Sequence, residues 1–193
     1  MRRRPILPFM PHVTPPKTTD DYFALEDDGE TELLDGEFVV SPAPSLRHQM
    51  AVIALAAILY RQAKSLRCGI VLTAPFDVVL SRTNIPHPDV LFLLAASLAR
   101  LTKNVLQGPP DLAVEFLSPS NRNNDLKRKM KIYLECGVPQ YWIGDPEART
   151  IRVLENGGKA WVEMGIFKEG DVIRPWGNLD VTVEVGEVFE SPI

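Results

Sequence analysis

The chain has 193 residues, of which 45% are hydrophobic and 24% charged, with a formal net charge of −4. This is enough for one ordinary domain with a proper core, and the acidic balance excludes coating nucleic acid by bulk charge while leaving room for a local basic patch. Cys68 and Cys136 form neither a CxxC pair nor a disulfide framework, which fits a reducing cytoplasm, and no apolar run approaches the ~20 residues of a membrane span.

The opening "MRRRPILPFMPHVTPPK" has a basic end but no apolar stretch, because prolines interrupt it. It does not read as a signal peptide. Residues 1–18 are expected to form a flexible arm before a single domain over 19–193. "TTDDYFAL" predicts a short helix capped by Thr19 or Asp20. "TELLDGEFVVS" predicts a hairpin, since Asp35-Gly36 suits the positive φ angles of a tight turn. From Ser45 onward comes the clearest helix, with Val52, Leu55 and Leu59 at helical spacing and His48 one turn upstream on the same stripe.

"FDVVLS" and "PDVLFLL" follow as strands, the second apolar enough to be central. "AASLARLTKNVL" predicts a helical piece that Pro109-Pro110 breaks. "LAVEFL" is another central strand, and a helix is expected from about Asn124 to Cys136, stopped at Gly137. "PQYWIGD", "RTIRVLE", "AWVEMG" and "VTVEV" supply further strands. The sum is an α/β (α+β) domain with a mixed central sheet flanked by helices.

Two carboxylates stand where apolar residues are expected. Asp89 opens the strand "DVLFLL", and Glu115 interrupts "LAVEFL". A buried carboxylate persists only with a partner, and a divalent cation shared with Asp89 is one candidate. The following helix offers another. On a helical wheel Leu126, Met130 and Tyr133 share the core-facing stripe, and Lys129 is the basic residue nearest to it. Arg128 and Lys131 are expected to point to solvent. Glu115 is therefore either a metal ligand or half of a structural ion pair with Lys129. Asp89 could also cap backbone amides at a strand start. His48 reads as a helix-entry hydrogen-bonding residue or a cleft residue. Arg122, Lys127, Arg128 and Lys131 form a solvated helix face or a phosphate-contacting one, while Tyr133 and Trp142 read as core.

"PDV" at 88–90, "PDLAVEFLSPSN" at 110–121, "DLKRKMKIY" at 125–133 and "GVPQYWIGDP" at 137–146 occur in an order and spacing that resemble the Uma-two type of restriction-endonuclease-like proteins. That family belongs to the PD-(D/E)XK nuclease superfamily. "ELLDGEFVVSPAPSLRH" at 32–48 resembles its opening hairpin and helix start. The resemblance implies a restriction-endonuclease-like core and a Mg²⁺- or Mn²⁺-dependent endonuclease acting on DNA. It implies Asp89, Glu115 and the Phe116 carbonyl as metal ligands, Lys129 as the catalytic lysine, and Glu32 as a further acid near the metal. The superfamily pattern puts its lysine two residues after the acid, where this chain has Leu117. In the resembled family that lysine lies on the following helix, which matches Lys129. A homodimer is compatible with cutting both strands. The alternative is a non-catalytic nucleic-acid- or partner-binding module that keeps the nuclease fold.

Overall fold

A computed structural model describes residues 15–26, 31–40, 42–118 and 125–190. The first helix, α1 (Thr19–Phe23), is held by Thr18. Its N–H and Oγ1 both donate to Asp21 Oδ2, at 2.8 and 2.9 Å. The cap is thus Thr18, one residue upstream of the expected Thr19, because the reach back from Asp21 selects it. The hairpin of β1 (Thr31–Leu34) and β2 (Glu37–Val40) turns at Asp35 and Gly36. Both lie in the left-handed region, with φ of 45° and 75°, as a two-residue turn matched to strand twist requires.

The long helix α2 (Leu46–Leu66) starts at Ser45, whose hydroxyl accepts the His48 N–H at 3.3 Å. The chain then runs through β3 (Gly69–Thr73), β4 (Asp77–Val79), β5 (Val90–Leu94), a 3-10 helix (Ala95–Arg100), β6 (Val105–Gln107) and β7 (Leu112–Phe116). After α3 (Asp125–Glu135) come β8 (Gln140–Asp145), β9 (Thr150–Asn156), β10 (Trp161–Lys168), β11 (Val172–Ile173), β12 (Val183–Glu184) and α4 (Val185–Phe189).

Six strands form the central sheet in the order β10-β9-β8-β7-β5-β3. Within it only β7 and β8 run parallel, joined through α3. Leu55 and Leu59 of α2 pack with Phe92, Val114, Phe116 and Trp142 on one face of the sheet. Tyr133 of α3 packs with Ala113, Tyr141 and Ile143 on the other. With both faces covered, β5 and β7 are buried almost throughout, which explains their unbroken apolar runs.

The helix expected across "AASLARLTKNVL" is only six residues of 3-10 helix, and Val105–Gln107 is a strand parallel to β4. Leu106 is buried with Val78, Leu91 and Leu93, and that contact overrides local helical preference. "VTVEV" likewise ends in the short α4, so only Val183 and Glu184 remain strand. Of the expected arm, residues 1–14 lie outside the described residues, whereas the Lys17 N–H donates to the Gly36 carbonyl at 2.8 Å. Cys68 and Cys136 are free thiols. Among the described residues no helix is long and apolar enough to cross a membrane.

Candidate active site

Strands β5 and β7 are antiparallel, with Val90 opposite Val114 and Leu91 opposite Ala113. Asp89 immediately precedes β5, and Glu115 follows Val114 on β7. Asp89 Oδ2 accepts the N–H of Phe116, the residue after Glu115, and the Asp89 charge acts on the Glu115 carboxyl.

Helix α3 closes the site from one side. Lys129 Nζ lies 3.0 Å from Glu115 Oε1, 3.2 Å from Glu115 Oε2 and 2.9 Å from Glu32 Oε1. The Tyr133 hydroxyl, one turn further, donates to Glu115 Oε1 at 2.7 Å. Glu32 reaches in from β1, and its Oε1 also accepts the His87 N–H at 2.6 Å. All of these side chains are buried: Glu32 is 4% exposed, while Glu115 and Lys129 are each 8% exposed. Asp89, half-buried, accepts at Oδ2 from the Phe116 N–H (2.7 Å) and contacts His48 Nε2 (3.1 Å). His48 enters from α2 on the far face, its ring edge-on to Phe116 at 6.0 Å.

Two carboxylates, Glu115 and Glu32, thus hold one ammonium. Burial, reinforced by the charges of Asp89 and Glu32, pushes the Glu115 carboxyl up to about 8, although Lys129 and the Tyr133 hydroxyl oppose the shift. Burial alone would pull the Lys129 ammonium down. The charges of Glu115 and Glu32 outweigh it, so Lys129 stays protonated, its shift upward. Burial also works against a charged His48, but the hydrogen bond and charge of Asp89 win and raise it. The Tyr133 hydroxyl is pushed well above its ordinary value by burial and by Glu115, so it remains a donor.

The expected inward lean of Lys129 beside Leu126, Met130 and Tyr133 is what the fold contains. Arg128 differs from expectation. It does not point to solvent: Nε lies 3.4 Å from Asp35 Oδ2, a terminal nitrogen lies 3.0 Å from Glu37 Oε2, and the same group donates to the Leu34 carbonyl. Its guanidinium is committed to the hairpin turn, which presents two acids and a carbonyl where the sequence alone suggested an open helix face. Lys127 is exposed, and exposed Lys131 lies 3.9 Å from Glu135. Arg122 lies outside the described residues. Trp142 is core, whereas Tyr133 combines core packing with the hydrogen bond to Glu115.

A further cluster was not foreseen. The Tyr22 hydroxyl and His87 Nε2 both meet Asp77 Oδ1 at 2.8 Å, fixing the loop that leads into Asp89. The only signal for it was "PHPD", a histidine two residues before the acid.

The family model Uma2, described as "Putative restriction endonuclease", matches residues 19–183. The chain belongs to this family, and the notable sequence likeness extends over nearly all of the domain. The fold is similar to that of "a putative nuclease belonging to DUF820" from Anabaena variabilis, with a TM-score of 0.75 at 18% identity. That match covers 90% of this chain and 98% of the other. No curated protein matches.

Proposed function

We propose that the chain is a Mg²⁺- or Mn²⁺-dependent endonuclease hydrolysing phosphodiester bonds in DNA, with Asp89, Glu115 and the Phe116 carbonyl as the protein's metal ligands. The observation that carries this reading is that Glu115 shares a buried ammonium with Glu32 while Asp89 is held to the N–H of the next residue, Phe116. The donor set fits a hard cation. It is all oxygen, and Asp89 Oδ1 accepts no hydrogen bond among the described residues while Oδ2 accepts two. No three His, Cys, Asp or Glu side chains form a cage among the described residues. A magnesium-type site needs none, because waters and substrate phosphate oxygens complete it.

When bound, such a cation lowers the pKa of a coordinated water and offsets charge on the phosphate. Lys129, fixed by Glu115 and Glu32, keeps a positive charge where the phosphodiester gains negative charge. Glu32 holds that ammonium in place. Tyr133 fixes the orientation of Glu115 by its hydrogen bond. Cutting both strands of a duplex would take two such sites, and a homodimer supplies them.

The test is nicking of supercoiled plasmid in Mg²⁺ or Mn²⁺. Wild type should cut, and Asp89→Ala and Glu115→Ala should each abolish cutting. Unchanged cutting in either variant refutes the assignment. Salt-sensitive DNA binding by wild type without cleavage would favour a non-catalytic binding module on the same fold.

A further inference from the structure

His48 sits in the first turn of α2, buried, with its N–H tied to the Ser45 cap. Its Nε2 lies 3.1 Å from Asp89 Oδ2, and among the described residues Nδ1 is buried with no hydrogen-bond partner. Among the described residues Asp89 is the one side chain that hydrogen-bonds the imidazole, and the Phe116 backbone lies within its reach as well. Its ring plane is set by Phe116, whose own ring is wedged against Gly144 and packs edge-on to Phe189 at 6.3 Å. A Cβ at Gly144 would stand 2.2 Å from that ring, so Phe116 has little freedom to move.

Asp89 Oδ2 thus takes donors from two separate elements, His48 of α2 and the Phe116 N–H of β7. A carboxylate held by one oxygen in this way has a fixed torsion and presents the other oxygen. Donors of this outer kind orient metal-binding carboxylates and raise the affinity of a site by about 10–100-fold.

Resting on the reading of Asp89 as a metal ligand, we infer that His48 is a positioning residue: it donates Nε2–H to Asp89 Oδ2 and so aims Oδ1 at the cation. It does not itself ligate. The bland alternative is a buried ring that only packs between α2 and Phe116, and it predicts that side-chain shape matters while the donor does not.

Glutamine and methionine separate the two, because they have similar reach and only glutamine carries an N–H donor. Mn²⁺ binding to the full chain is measured by electron paramagnetic resonance of free Mn²⁺, without DNA. His48→Gln should bind within about threefold of wild type, and His48→Met should bind about 10–100-fold more weakly. Equal affinity in the two variants overturns the inference. So does nitrogen coupling to Mn²⁺ in a pulsed spectrum of wild type that is lost in His48→Gln, since that would make His48 a ligand. Wild type that binds no Mn²⁺ at millimolar concentration overturns the cation site and this inference together. Wild type that binds while His48→Met binds equally well overturns the inference alone.

Discussion

Glu115→Gln should stabilise the metal-free protein at high pH. In the fold the Glu115 carboxyl is pushed from 4.5 up to about 8, chiefly by burial and then by Asp89 and Glu32. Between those values the unfolded chain has lost this proton and the native state keeps it, so rising pH favours unfolding through that window. Each pH unit of displacement is worth about 1.4 kcal/mol, which sets a ceiling of about 5 kcal/mol for the cost of ionised Glu115 above pH 8. That ceiling is already net of the attraction of Lys129, and in the glutamine variant Glu32 still pairs with the ammonium at 2.9 Å. The net gain should be about 1–3 kcal/mol at about pH 9, or roughly 3–10 °C in Tm. At about pH 3, below both values, both states are nearly fully protonated at this site and the gain should vanish. Thermal melts of both proteins across this range, in chelator, provide the assay. A Glu115→Gln protein that melts below wild type, by a margin that widens as pH rises, would refute the reasoning. It would show that the ion pair with Lys129 is worth more than the burial and repulsion of the carboxylates.

Arg128→Ala should cost about 1–3 kcal/mol in a urea titration, because it frees Asp35, Glu37 and the Leu34 carbonyl of the hairpin from one guanidinium. Exposed Lys127→Ala should stay within about 0.5 kcal/mol of wild type in the same titration. Gly144→Ala should lower Tm by an overpacking cost of about 1–3 kcal/mol, since the new Cβ would collide with the Phe116 ring. A Gly144→Ala protein as stable as wild type would mean that Phe116 can move, and would remove the wedge invoked for the His48 ring.

Much of the domain follows from local pattern. The hairpin, α2, the central strands and α3 each carry a period or a turn pair that physics reads without tertiary help. The inward lean of Lys129 follows from its place beside Leu126 and Tyr133 on the wheel. Position also marks Glu115 as needing a partner, because a carboxylate inside an apolar strand has few alternatives. Arg128 was misread for a definite reason: its partners lie about ninety residues upstream on the hairpin, and no local period encodes a contact of that range.

The same limit hid the Tyr22–His87–Asp77 cluster and gave Leu106 to a helix rather than to a strand. The sequence by itself determined which residues were charged against their surroundings and which helix face turned inward. Only the tertiary structure decided what those charges meet. The hairpin delivers Glu32 to Lys129, β7 offers the Phe116 N–H to Asp89, and α2 brings His48 onto the same Asp89 oxygen. Side-chain partners across elements depend on strand register and packing, which are properties of the assembled sheet rather than of any segment of chain.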